Sequence, residues 1–141
     1  MPNLDPASLA ASSVVAFVAT RDAARARAFY ENTLGLRIAA DTPFAIVVDS
    51  GGTTIRIQKV ETFTPHPFTA LGWQVSDIAR TMASLGDRGV VFERYEFVPQ
   101  DALGVWTTPD GAKVAWFKDP DGNTLSLTEL GAAAAGREGR G

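Results

Sequence analysis

The sequence contains no cysteine and a single histidine, His66. Without cysteine there is no disulfide, no thiolate nucleophile and no zinc–thiolate site. With one imidazole, a metal centre that needs two or three histidines is excluded. A serine–histidine–aspartate triad would have to recruit His66, which sits in the turn-like stretch Thr64-Pro65-His66-Pro67 without an orienting neighbour. His66 therefore reads as an exposed loop residue. Basic charge is also in short supply: 13 Lys and Arg stand against 16 Asp and Glu, a net charge of −3. A nucleic-acid partner would call for a basic stripe to neutralise phosphates, and none is visible. No apolar run is long enough to span a bilayer. Residues 1–13 lack both the basic start and the apolar core of a secretory signal. The expectation is a cytoplasmic protein with neither nucleic acid nor membrane as partner.

What is present is a soluble, foldable composition, 45% hydrophobic and 21% charged over 141 residues. That length suits one domain or two closely packed half-size repeats. The pattern of elements favours repeats. Residues 14–19 are apolar throughout, as a strand buried on both faces should be. Asp22 then suits a helix N-cap, with Ala26, Phe29, Tyr30 and Thr33 at helical spacing and Gly35 at the C′ position. Strand-like runs follow at 36–40, 44–49 and 54–59, the last two joined by the turn Ser50-Gly51-Gly52. The order then recurs. Residues 70–75 read as a strand, Asp77 caps a helix with Ile78, Met82 and Leu85 on one face, and Gly89 ends it. Residues 90–92 begin another strand. A hairpin of 113–118 and 124–129 closes the unit around the turn Asp119-Pro120-Asp121-Gly122-Asn123. Asp22 maps onto Asp77 55 residues later, while Asp49, Gly52 and Thr54 map onto Asp119, Gly122 and Thr124 70 residues later. The second copy thus carries 15 extra residues, near 94–111, including a second turn at Pro109-Asp110-Gly111. The expected organisation is a loose N-terminus at 1–12, a first module at 13–60, a linker at 61–68, a second module at 69–130 and a disordered tail at 131–141.

Three stretches carry a resemblance. VVAFVATRDAARARAFYENTLGL resembles the opening of vicinal-oxygen-chelate proteins, the glyoxalase, bleomycin-resistance and extradiol-dioxygenase superfamily. LGWQVSDI is similar to the start of that family's second module, and FKDPDGNTLSL to its closing hairpin. The resemblance covers about residues 14–129. It implies an α+β fold of two tandem βαβββ modules, a cupped mixed sheet with helices outside, in a protein that forms homodimers. Most of the family works around a divalent metal, whereas its bleomycin-resistance proteins hold a drug without one.

The resemblance also says where metal ligands would stand. Carried over to this chain, the positions are Val15, Arg56, Ala70 and Ser126. Two have no donor atom, one is a cation and one is a poor ligand, so no metal and no other cofactor is expected. The inward positions of the cup would be Val15, Phe17, Arg56, Gln58, Ala70, Gly72, Gln74, Val114, Trp116, Thr124 and Ser126, with Trp73 turned to the core. Trp106 and Tyr95 in the extra segment are candidates for a lid. The residues expected to bind ligand are Phe17, Arg56, Gln58, Gln74, Trp106, Trp116 and Ser126, around a small organic molecule that is aromatic or anionic in part. The alternative is an enzyme of lyase, isomerase or dioxygenase type with unrecognised metal ligands or an acid or base drawn from Glu93, Glu96, Tyr95 and His66. Binding is the favoured reading, because none of these four has a visible partner to tune it.

Overall fold

Both helices begin where an aspartate ends an extended segment. In the computed structural model, which describes residues 5–131, Asp22 accepts a hydrogen bond from Arg25 N at 3.2 Å and Asp77 one from Arg80 N at 3.1 Å. Each carboxylate satisfies an amide that the first helical turn leaves unpaired. The first helix, α1 (Ala23–Ala28), widens into a single π-helical turn over Phe29–Thr33 and is released at Gly35, with φ at +74°. The second, α2 (Ile78–Asp87), buries Ile78, Met82 and Leu85 as its spacing predicts.

Around them the chain lays down β1 (Val15–Thr20), β2 (Arg37–Asp41), β3 (Ala45–Ser50) and β4 (Thr53–Lys59), then β5 (Thr69–Gln74), β6 (Trp106–Thr107), β7 (Lys113–Lys118) and β8 (Thr124–Glu129). The two four-stranded sheets share one topology, β1-β4-β3-β2 and β5-β8-β7-β6. In each, the first strand runs parallel to the last and the others are antiparallel. An α+β fold of two βαβββ modules is what the sequence led us to expect. Strand alternation separates two faces. Val18, Ile46, Val48, Ile55 and Ile57 of the first sheet face the helices, as do Ala115, Phe117, Leu125 and Leu127 of the second, and together they form one core. Trp73 joins that core and stacks on Phe117.

One expected strand is absent. Residues 90–92 form no ladder, and the fourth strand of the second sheet is β6, inside the extra segment. The reason is local. Phe92 turns its ring edge-on to Phe117 at 5.6 Å, which pulls the chain into the core instead of along the sheet. The Gln100 amide then replaces ladder bonds, accepting from Tyr95 N and donating to the carbonyls of Glu93 and Gly104. At the N-terminus, residues 9–11 form a short 3-10 turn capped by Ser8. Residues 1–4 and 132–141 lie outside the described residues, and most of the expected tail with them. No helix among the described residues is long and apolar enough to cross a membrane.

The modules are locked by the turn between β7 and β8. Asp119 is buried, and its Oδ1 accepts from the amides of Asp121 and Asn123. Its Oδ2 accepts from Asn123 Nδ2 and from Tyr30 OH, both at 2.8 Å. The Asn123 amide also donates to Ala19 O, and Asp121 accepts from Arg21 N. Burial, reinforced by the Asp119 charge, holds the Tyr30 phenol far above its ordinary range, so it remains a donor.

Candidate functional site

The sheet faces turned away from the helices carry the candidate site in two halves. In the first module, Phe17 on β1, Arg56 on β4 and Val47 on β3 stand side by side in one cross-strand row. Gln58 follows in the next row, between Ala19 and Ala45. Phe17 is 58% exposed and nearby Phe44 is 74% exposed, and with Arg56 and Gln58 they line a hollow of about 250 Å³. Among the described residues no carboxylate pairs with Arg56. An unpaired guanidinium on an otherwise apolar row is a ready partner for an anion.

The second module repeats the row with other side chains. Gly72 on β5, Ser126 on β8 and Trp116 on β7 stand in register. A Cβ on Gly72 would come within 2.5 Å of Ser126 Oγ, so the hydroxyl lies in the space a larger residue would fill. The next row is Gln74, Thr128, Val114 and Trp106. The rings of Trp106 and Trp116 stack at 6.1 Å and 20° between planes. Tyr95 meets Trp116 edge-on at 5.4 Å, and Phe97 stacks on Tyr95 at 5.3 Å. These offset and edge contacts are geometries that aromatic pairs prefer, and they hold Trp116 as a half-exposed platform. Burial and then the Glu93 charge raise the Tyr95 phenol, outweighing the opposite pull of Lys118, so Tyr95 offers a hydrogen-bond donor.

The donor set at the four family ligand positions does not suit a cation. Val15, Arg56 and Ser126 fall on the non-helical face with Phe17 and Trp116, and none has a carboxylate or imidazole. Among the described residues no three His, Asp or Glu side chains come close enough to share a metal ion. His66 is exposed and lies flat on Phe68, with ring centroids 4.9 Å apart. Glu93 is paired with Lys118 at 3.4 Å, and Glu96 is exposed.

The seven residues expected to bind ligand therefore divide by module, Phe17, Arg56 and Gln58 in one group and Gln74, Trp106, Trp116 and Ser126 in the other. Trp106 lies on the edge strand β6, packed on Trp116. Sequence reasoning missed Val47, which period-two alternation along β3 would have supplied. It also missed Phe44, read as the first residue of a strand but standing just before β3.

The sequence profile described as the Glyoxalase/Bleomycin resistance protein/Dioxygenase superfamily matches residues 12–127. No curated protein matches the chain significantly. Among solved structures, a member of this superfamily from Sphaerobacter thermophilus DSM 20745 is 26% identical over 84% of this chain and 96% of its own, with a TM-score of 0.67. A glyoxalase family protein from Bacillus anthracis is 20% identical over 92% of this chain and 99% of its own, TM-score 0.67. Lactoylglutathione lyase from Agrobacterium tumefaciens is 16% identical over 89% and 96%, TM-score 0.65. The profile match spans most of the sequence, and the shared architecture agrees with it: the chain belongs to the glyoxalase/bleomycin resistance protein/dioxygenase superfamily.

Proposed function

We propose that this protein binds a small organic molecule in its cup without a metal, for sequestration or resistance, and that the molecule combines a flat aromatic part with an anionic group. The observation that carries the reading is Arg56. It puts an unpaired cation at a position where the family resemblance calls for a metal ligand. The stacked indoles of Trp106 and Trp116 support the aromatic half, since a half-exposed platform gains more from a stacked ring than from water. Ser126, Gln58 and Gln74 add polar groups to orient the ligand. The two half-sites sit on separate sheets with large apolar side chains open to solvent. We propose that a homodimer apposes one chain's first half to its partner's second half, and that the protein works in the cytoplasm.

Melting temperature is the first test. A site that binds the native state preferentially raises the transition. EDTA, zinc, nickel, manganese and ferrous iron are expected to leave it unmoved, while aromatic carboxylates such as indole-3-acetate raise it. Arg56→Ala combined with Trp116→Ala should lower the indole-3-acetate effect to whatever binding outside the cup supplies. A transition lowered by EDTA and restored by one metal would instead make this a metal enzyme.

A further inference from the structure

Away from the cup, on the helical side of the sheets, the modules leave a second opening. A largely apolar cleft of about 190 Å³ lies between them. Leu34 and Leu36 come to it from the first module, and Leu85, Phe117 and Leu127 from the second. Trp73 spans the two, its indole N–H donating to Ser50 Oγ at 2.9 Å. An apolar cavity of roughly 150 Å³ takes up benzene. This cleft therefore has room for one aromatic ring and a short chain.

The cleft opens into polar surroundings. Leu34, Thr81 and Leu85 also line an adjoining groove of about 390 Å³. Arg80 and Ser84, four apart on one face of α2, line that groove with Arg88 at the helix C-cap. Arg80 has no ion-pair partner among the described residues. Arg88 reaches across to the first module and donates to Thr33 O at 3.1 Å. Asp77 is the carboxylate of the groove, and its Oδ1 accepts from Arg80 N. Two guanidinium groups against one carboxylate leave the mouth net positive.

We infer that this inter-module cleft is a second binding site for a small amphipathic carboxylate, with its apolar body between the modules and its charged end at Arg80 and Arg88. Gln74 borders this cleft as well as the cup, whereas Arg56 and Trp116 do not line it. Its walls come from both modules, so such a ligand binds the docked arrangement and stabilises it.

The test uses 3-phenylpropanoate as probe, titrated calorimetrically into the full chain carrying Arg56→Ala and Trp116→Ala, so that the cup contributes nothing. Saturable binding is expected there, with propanoate and 3-phenylpropan-1-ol at least tenfold weaker. Adding Thr81→Phe, which fills the cleft from the helix surface, should abolish binding. Adding Arg80→Gln and Arg88→Gln, both exposed, should weaken it at least tenfold for the carboxylate and leave the alcohol unchanged. Absence of saturable binding in the cup-deficient protein would overturn the assignment. So would an affinity untouched by both added sets of substitutions while circular dichroism shows them folded.

Discussion

The two modules share a backbone plan and differ at nearly every position that matters. Phe17, Arg56 and Val47 form one cross-strand row, and the equivalent row is Gly72, Ser126 and Trp116. The first presents a cation between apolar side chains. The second presents an indole beside a gap. Asp49 and Asp119, matched by the 70-residue spacing in the sequence, diverge as sharply, and the register sets Lys118, not Asp119, opposite Thr124 as Asp49 is opposite Thr54. Asp49 makes a partly exposed ion pair with Arg37 at 3.6 Å, whereas buried Asp119 accepts four hydrogen bonds and ties the modules together. Duplication kept what sets strand register and turns. Side chains outside those constraints were free to diverge, leaving a cation in one row and an indole in the other.

The strongest way to probe this contrast is to remove the two aspartates in turn. Asp119→Ala leaves buried donors without their acceptor and is expected to cost about 3 kcal/mol. Asp49→Ala should cost less than about 1 kcal/mol, as exposed pairs do. Urea denaturation midpoints measure both, and equal losses would erase the distinction between lock and surface pair. Next comes the shared row. Gly72→Ala drives a Cβ into Ser126 Oγ and should cost about 1–3 kcal/mol, with Ser126→Ala restoring much of it. At the equivalent position, Phe17→Ala should change folding by about 0.5 kcal/mol or less, and act on ligand binding and self-association instead.

The inter-module lock and the ion pairs of the first sheet should respond oppositely to pH. The Tyr30 phenol is held above its ordinary value of 10.0 in the folded chain, so the unfolded chain ionises first. Its contribution is complete below about pH 10 and is lost as pH rises further, which Tyr30→Phe should abolish in alkaline unfolding curves. Asp41 in β2 behaves in the opposite sense. Hydrogen bonds from Lys59 and then Arg27 hold its carboxyl below the usual 3.8. Its contribution is present above about pH 4 and fades as pH falls, so Asp41→Asn should flatten the acid limb. The smallest effect is expected from Arg37→Ala, within about 0.5 kcal/mol by the same denaturation assay.

Much of this was legible in the sequence, for identifiable reasons. Asp22 and Asp77 act through bonds three residues away, and the hairpin turn at Gly51 and Gly52 needs positive φ that glycine supplies. Residues 113–118 and 124–129 match β7 and β8 at both ends, because turn chemistry between them is strong. The row holding Phe17 and Arg56 followed from the family resemblance, carried along the strands by alternation and the repeat. Residues 90–92 misled, since a short apolar run reads the same whether it pairs in a sheet or drops a ring into the core. The Tyr95–Trp116–Trp106 stack was visible only as aromatic content in an extra segment.

The sequence by itself determined most of the elements, their order along the chain and the alternation of side chains within each strand. All of these rest on interactions of short range along the chain: period-two alternation, helical spacing, caps and turns. Only the tertiary structure decided that Tyr30 meets Asp119 across 89 residues and Asn123 meets Ala19 across 104. It alone placed Trp106 on Trp116 and opened a cleft behind Trp73. These contacts depend on how two packed modules dock, and that is fixed by side-chain shape and buried hydrogen bonds between distant segments, which no local period encodes.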